Sequence, residues 1–171
     1  MCADDNGEGR NRQSDRVSSE RAGVRGMKMT LELAPLFKLT VTPGSAIDLG
    51  NTPIGRRFMV ELLDVMIEGE RINARKRQDV AAADWLLVTP DGTGLIDIRY
   101  TVETDDGALI YIHYQGRRNF TEVFDEKDAP VFIAPYFETG DERYSWLNKV
   151  QAIGKGVSFG DTRIYEVYEV K

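Results

Sequence analysis

Hydrophobic and polar side chains alternate along Leu95–Arg117, the stretch LIDIRYTVETDDGALIYIHYQGR. Two runs rich in β-branched and aromatic residues flank Asp105-Asp106-Gly107, which is a strong signal for a β-hairpin. A two-residue loop would mix apolar and polar side chains on both faces. A three-residue loop, with Gly107 left-handed at its end, separates them. We therefore predict a register that pairs Ile98 with Tyr114, Tyr100 with Ile112, and Val102 with Ile110.

The polar face of this hairpin could be a solvated outer surface or the wall of a lumen or cleft. Solvated faces usually favour Lys and Glu, whereas this face carries side chains that hold fixed hydrogen-bond geometry. We therefore favour the lumen or cleft. The residues of this polar face are Asp97, Arg99, Thr101, Tyr111, His113, Gln115 and Arg117.

Short alternating segments separated by turn signals continue on both sides of the hairpin, and no long amphipathic helix interrupts them. A helical turn is expected after residue 139, with Asp141 as its N-cap. The pattern predicts an all-β fold, an antiparallel β-barrel of about eight to ten strands with one or two short helical turns. Besides the hairpin, the predicted strands are 29–42 (broken at Pro35 and ended by Pro43), 57–68, 84–88, 120–124, 131–138, 149–157 and 162–170.

The first 26 of the 171 residues differ from the rest. They contain no aromatic residue and little aliphatic surface, so we predict a disordered extension at 1–26 and a single β-barrel domain at 27–171. The extension holds five acidic and five basic residues, so the net charge of −6 belongs to the domain. That balance argues against nucleic acid as a partner, because phosphate binding needs clustered Lys and Arg.

The cysteine content indicates a reducing compartment. Cys2 is the only cysteine, so no disulfide can form within the chain. The N-terminus lacks the apolar segment of a secretory signal, and no apolar run is long enough to span a bilayer. We therefore expect a cytoplasmic protein with no membrane partner. One histidine and no further cysteine cannot build a typical zinc site, so we expect no metal, and no motif indicates another cofactor.

Several stretches together resemble the domain of unknown function family 3237. The resemblance implies a small lipocalin-like (calycin/streptavidin-like) barrel, often present as a homodimer, and it implies no established reaction. Residues 62–82 depart from the family, which tends to have Gly-rich segments there. The matching stretches are 51–57 (NTPIGRR), 83–85 (ADW), 97–101 (DIRYT), 104–110 (TDDGALI), 137–141 (FETGD), 144–148 (YSWLN) and 165–170.

His113 with Asp97 and Arg99 is the best candidate for chemistry. A carboxylate can fix the histidine tautomer and raise its basicity, and an arginine can hold an anionic oxygen. His113 would be the general base or acid, Asp97 its orienter, Arg99 the oxyanion or carboxylate clamp, and Tyr111 a second acid. Such a site suits a cofactor-independent lyase or isomerase that acts on a small carbonyl compound. The alternative is a plain Asp97–Arg99 salt bridge beside a packed histidine.

A ligand pocket would need further residues. The aromatic residues Trp85, Tyr144 and Trp146 could form the wall of a pocket for a flat apolar ligand, although core packing is the commoner role of such residues. The chain could instead be a carrier for a small apolar ligand, or a structural module that dimerises through the apolar face of the hairpin. The polar candidates for ligand binding are Asp84, Thr101, Gln115, Glu138 and Asn148.

Overall fold

The computed structural model describes residues 30–121 and 129–171, in which Glu32–Lys171 forms one compact unit. The predicted extension 1–26 and most of the predicted strand 120–124 lie outside the described residues. The described part of this unit contains one 3₁₀-helix, Glu142–Lys149, which Asp141 caps through a side-chain oxygen that accepts the Arg143 N–H. Its strands are β1 (Leu33–Thr52), β2 (Gly55–Glu68), β3 (Asn73–Lys76), β4 (Ala83–Asp84), β5 (Leu87–Val88), β6 (Thr93–Thr104), β7 (Leu109–Asn119), β8 (Val131–Glu138), β9 (Ala152–Phe159) and β10 (Thr162–Val170).

All pairings among these strands are antiparallel, and they close into a barrel. Strands β1, β10, β9, β8, β7 and β6 follow one another around the wall, and β1 also pairs with β2. The gap between β2 and β6 is filled by β3, β4 and β5, each of which pairs with both neighbours at successive positions. The all-β antiparallel barrel is thus confirmed, while the lipocalin-like subtype stays a prediction.

The central hairpin has the predicted register. Ile98 lies opposite Tyr114, Tyr100 opposite Ile112, and Val102 opposite Ile110. Gly107 is left-handed at the end of the loop, with φ of 87°. The separation of apolar from polar side chains was therefore enough to select the pairing of β6 with β7.

The first strand is longer than predicted. It does not end at Pro43 but continues to Thr52 and forms a long hairpin with β2. The ladder between β1 and β2 shifts register on both sides of Pro43, and these irregularities accommodate a residue that cannot donate a backbone hydrogen bond. The segment 57–68, which we predicted as a strand, is part of β2.

The apolar face of the β6–β7 hairpin faces the interior of the barrel. Its side chains, Tyr100, Val102, Ile110, Ile112 and Tyr114, are at most 2% exposed. The 3₁₀-helix packs Leu147 into the same core, and its Tyr144 hydroxyl donates to Asp106 in the β6–β7 loop at 3.0 Å. The helix therefore covers the barrel end at which that loop lies. No helix in the described ranges is long and apolar enough to cross a membrane.

Candidate functional site

The predicted histidine cluster forms, but on the outer wall of the barrel. His113 Nε2 lies 2.8 Å from Asp97 Oδ1, and Arg99 Nη2 lies 3.1 Å from Asp97 Oδ2. The side chains of His113 and Asp97 are 28% and 29% exposed, and that of Arg99 is 50% exposed. We predicted that this face lines a lumen or a cleft. It does not line the barrel lumen, but two of its residues, Thr101 and Tyr111, line an open groove on the outer surface. Burial of the apolar face removes far more hydrocarbon surface from water than burial of the polar face would. The polar side chains on the outer wall form hydrogen bonds and ion pairs with one another.

Other predicted residues lie on the same outer surface. An open groove of about 610 Å³ is lined by Thr101, Tyr111, Glu138 and Asn148 together with their neighbours. Asn148 serves a local role, because its side chain bonds both the N–H and the C=O of Thr139. Gln115 is exposed opposite Asp97. Thus four of the predicted residues meet in a groove, and this groove is separate from the barrel interior.

The three aromatic candidates do not line the interior cavity either. Trp85 lies beneath the Arg99 guanidinium, with 5.3 Å between the guanidinium carbon and the ring centroid. Tyr144 and Trp146 pack against the core from the 3₁₀-helix. The Arg71 guanidinium covers the Trp146 ring, with 3.5 Å between the guanidinium carbon and the ring centroid. Tyr144 and Trp146 therefore have a packing role at the barrel end that the 3₁₀-helix covers.

An interior cavity of about 290 Å³ lies toward the other end of the barrel. Its wall is mostly aliphatic and aromatic, and polar groups reach it from β4, β7 and β10. A mostly apolar wall with a few polar groups is typical of small-molecule sites. The lining residues are Val41, Pro43, Ala46, Phe58, Val60, Leu62, Asp84, Leu86, Ile96, Ile98, Arg118, Phe120, Val131, Arg163 and Tyr165.

Asp84 supplies the one carboxyl group of this cavity wall among the described residues. The two-residue strand β4 holds it between β2 and β6, where Asp84 Oδ1 accepts the Asp97 N–H at 3.1 Å. Burial raises the pKa of Asp84 to about 6, against the opposing effects of the Asp97 hydrogen bond and the Arg57 charge. A carboxyl with such a pKa exchanges protons near neutral pH, as a general acid or base must.

Three buried tyrosines form a row, and one of them, Tyr165, lines the cavity together with Asp84. The ring centroids of Tyr100 and Tyr114 are 6.1 Å apart, and those of Tyr114 and Tyr165 are also 6.1 Å apart. Desolvation raises the pKa of Tyr165 to about 12 and raises the pKa values of the other two as well. All three phenols therefore stay protonated at neutral pH. The Tyr114 hydroxyl is buried and has no well-aligned hydrogen-bond partner among the described residues.

A glycine shapes the Tyr165 position. Gly156 on β9 pairs directly with Tyr165 on β10, and the tyrosine ring lies where a Cβ of residue 156 would stand. Only glycine allows the ring to come this close to the neighbouring strand. The Gly-rich segment 154–156, which is not a phosphate loop in sequence, therefore has a packing role.

Sequence reasoning named Asp84 but missed Arg118, Arg163 and Tyr165. A usable signal was present, because alternation along β10 puts Arg163 on the same side as the buried Tyr165 and Val167. Arginine at an inward position near a strand end indicates a polar group at a cavity. No group of three or more His, Cys, Asp or Glu side chains suited to a metal occurs in residues 30–121 and 129–171.

This chain is similar in sequence to bacterial and fungal proteins and similar in structure to a bacterial barrel. A UPF0311 protein of Rhodopseudomonas palustris (strain TIE-1) is 28% identical over 154 residues, which cover 84% of this chain and 99% of the relative. The crystal structure of a β-barrel-like protein from Acinetobacter baumannii AYE gives a TM-score of 0.76 at 32% identity, covering 85% of this chain and 99% of that chain. The hydroalkoxylation enzyme phnH of Penicillium herquei is 30% identical over 81 residues, or 47% of this chain and 46% of the enzyme.

The family assignment rests on nearly the whole barrel. Residues 31–170 match the family described as protein of unknown function (DUF3237). The match spans every strand from β1 to β10 and the 3₁₀-helix between β8 and β9. The chain therefore belongs to the DUF3237 family of proteins of unknown function, as the sequence resemblance predicted.

Proposed function

We propose that this chain is a cofactor-independent enzyme that binds a small, largely apolar substrate in the interior cavity and transfers a proton through Asp84. The observation that carries the proposal is a mostly buried carboxyl group on a mostly apolar cavity wall that also holds the protonated Tyr165 phenol. A pKa of about 6 leaves most Asp84 side chains ionised at neutral pH, so Asp84 acts as the base.

The reaction follows from these groups. The Asp84 carboxylate removes a proton from a carbon next to a carbonyl, and the C–H electron pair moves onto the carbonyl oxygen as an enolate. The Tyr165 hydroxyl, whose pKa is about 12, donates a hydrogen bond to that oxygen. Return of the proton to a different carbon gives an isomerase. In a lyase, the enolate instead re-forms the carbonyl, a carbon–carbon double bond forms, and the bond to a leaving group on the next carbon breaks. The leaving group departs with the electron pair of that bond, and the proton stays on Asp84 until product leaves.

The fungal relative supports proton-transfer chemistry on this type of barrel. Hydroalkoxylation adds the O–H bond of an alcohol across a carbon–carbon double bond: the oxygen bonds to one carbon and loses its proton, and the other carbon gains a proton. The reverse reaction is an elimination of the lyase type. Both directions need a group that takes and returns protons inside an apolar site, which is what the Asp84 carboxyl offers. The sequence match to that enzyme extends over 47% of this chain.

The first test is proton exchange on a ketone of suitable size. β-Tetralone is flat and apolar, and exchange of its acidic C–H protons in deuterium oxide is followed by proton NMR. We expect the wild-type chain to accelerate exchange over buffer and Asp84→Asn to lose at least about tenfold, that is, about 1.4 kcal/mol of barrier lowering. Asp105→Asn is the matched control, because Asp105 is exposed in the β6–β7 loop.

A second substrate covers the addition reaction. ortho-Allylphenol carries a hydroxyl and a double bond in one small molecule, and its ring closure is followed by chromatography. If neither compound reacts faster than in buffer, the chain does not catalyse proton transfer and the proposal fails.

The apolar cavity wall also favours a carrier as the second candidate function. In that case β-tetralone would raise the thermal unfolding temperature without faster exchange, because binding to the folded state alone stabilises it. Asp84→Asn would then keep that stabilisation.

A further inference from the structure

Arg163 introduces a positive charge at the cavity wall that the proton-transfer step does not use. It lies two residues before Tyr165 on β10, with its side chain mostly buried. Its Nη1 donates to the carbonyl oxygen of the neighbouring Thr162 at 3.0 Å. Within the described residues it forms no ion pair with a carboxylate, in contrast to Arg56, Arg77 and Arg143. A guanidinium in an apolar wall is costly unless an anion compensates it.

A second guanidinium faces the same cavity. Arg118 reaches it from the end of β7, with 5.1 Å between its guanidinium carbon and the Phe120 ring centroid. The positive charges of both arginines lower the pKa of Tyr165, which lines the same cavity. Arg163 on β10 and Asp84 on β4 are separated around the barrel wall by β1 and β2. The cavity wall therefore carries its guanidinium groups on β7 and β10 and its carboxyl group on β4, with Tyr165 on the same strand as Arg163.

We propose that the cavity takes an organic acid, an apolar ring system with a single carboxylate, whose carboxylate is held by Arg163. This inference names the substrate class of the proposed function and rests on the same cavity. A guanidinium fork matches the two oxygens of a carboxylate, which gives strong and directional hydrogen bonds. The aliphatic wall disfavours sugars and nucleotides, which need many polar partners.

The arrangement fixes the orientation of the ligand. The carboxylate binds on the Arg163 side, the ring lies against Ile96, Ile98 and Leu62, and the far end of the molecule meets Asp84. Like charges repel, so the ligand carboxylate avoids the Asp84 side. The proton that Asp84 removes is thus on the part of the ligand remote from its acid group.

The test compares a charged ligand with its uncharged analogue. β-Naphthoate and its methyl ester share the ring system and differ in charge, and isothermal titration calorimetry gives both dissociation constants. We expect the wild-type chain to bind the acid at least about tenfold more tightly than the ester, a ratio equal to about 1.4 kcal/mol. Arg163→Gln should abolish that preference, and Arg163→Lys, which keeps the charge without the fork, should keep part of it.

Arg117→Gln is the matched control, because Arg117 is exposed beside Arg118 on β7 and does not line the cavity. It changes the net charge of the chain by the same amount and should leave both affinities unchanged. The wild-type ratio of acid to ester affinity requires no variant, so it tests the inference even if Arg163→Gln does not fold.

The outcomes separate this inference from the proposed function. Equal affinity for acid and ester, or equal loss of both in Arg163→Gln, overturns the carboxylate subsite. If the ester binds and the exchange of β-tetralone still depends on Asp84, the proposed function stands without it. Binding of neither compound, together with no exchange, overturns both.

Discussion

Asp84 Oδ1 accepts the backbone N–H of Asp97 at 3.1 Å, although the two side chains lie on opposite faces of the barrel wall. The Asp84 carboxyl reaches the cavity, whereas the Asp97 carboxylate holds His113 and Arg99 outside. The next pair in the ladder, the Trp85 N–H to the Asp97 carbonyl at 2.9 Å, secures the same junction. The backbone of β6 therefore positions the inner carboxyl independently of the outer cluster.

The buried Asp84 carboxyl should make the stability of the fold depend on pH. Its pKa rises from 3.8 to about 6 in the folded state, so between those values the folded chain holds a proton that the unfolded chain has lost. The contribution of Asp84 to the stability of the fold is therefore fully present below about pH 4, and this contribution is lost as pH rises through about 6. The cost above pH 6 is about 2–3 kcal/mol.

Asp84→Asn removes that cost, because the amide is neutral and its oxygen can still accept the Asp97 N–H. We expect the variant to be more stable than the wild type at pH 8, by about 2 kcal/mol, and the difference to vanish near pH 4. Urea unfolding between those pH values measures it. A constant difference across the whole range would show that Asp84 is not buried in its ionised form. Asp105→Asn should show no such trend, because that side chain is exposed.

The outer cluster should matter little to chemistry in the cavity. His113→Ala removes the histidine and leaves the β6 backbone and the Asp84 contact unchanged. We expect β-tetralone exchange within about twofold of wild type, and a stability loss below about 1 kcal/mol because the His113–Asp97 pair is partly solvated. Proton NMR and urea unfolding measure the two effects. Loss of exchange in His113→Ala, with exchange retained in Asp84→Asn, would show that catalysis takes place at the His113 cluster on the outer wall and not in the cavity.

The hairpin register was predictable because it depends on a local pattern. Alternation of apolar and polar residues and the turn residues around Gly107 fix which residues pair. Which face of the hairpin is buried depends on the apolar area of each face. The interior face of β6–β7 carries the large apolar side chains Tyr100, Ile110 and Ile112, and their burial contributes more to stability than burial of the polar face would. The chemical types on the polar face suggested a lumen, but these side chains satisfy one another in a half-solvated cluster.

The cavity site was harder to predict because distant segments build it. Asp84 lies on a strand of two residues, too short to show any period, and its inward direction depends on pairing with both β2 and β6. Arg163 and Tyr165 come from the last strand and meet Asp84 only through barrel closure. Closure of the barrel between distant strands leaves no local signal in the sequence, except that the alternation along β10 places Arg163 on the inward-facing side of the strand.

The contact between Gly156 and Tyr165 can be tested by adding one methyl group. Gly156→Ala places a Cβ against the Tyr165 ring, so the ring must move. We expect a loss of about 1–3 kcal/mol in the free energy of unfolding, as overpacking usually costs, and a changed near-ultraviolet circular dichroism spectrum. Gly140→Ala is the control, because a Cβ there has no neighbour within 4 Å, and it should stay within about 0.5 kcal/mol. Equal effects of the two substitutions would contradict the packing role.

Neighbouring arginines on β2 provide a sharp test of how the Asp84 pKa is set. Arg57 lowers the pKa of Asp84 by its charge, and its Nη1 donates to the Trp85 carbonyl at 2.5 Å. Arg56 instead forms an ion pair with Asp48 on β1, with 2.5 Å between Arg56 Nη2 and Asp48 Oδ2. Removal of the Arg57 charge in Arg57→Met should therefore raise the pKa of Asp84 above about 6.

The carbon-13 NMR shift of the Asp84 carboxyl, recorded as a function of pH, measures this pKa directly. We expect the midpoint to move upward in Arg57→Met and to remain near its wild-type value in Arg57→Lys, which retains the charge. Arg56→Met removes an equal charge a residue away and should leave the midpoint unchanged. A parallel shift in Arg56→Met would mean that the overall charge of the barrel, rather than the Arg57 guanidinium, controls the proton affinity of Asp84.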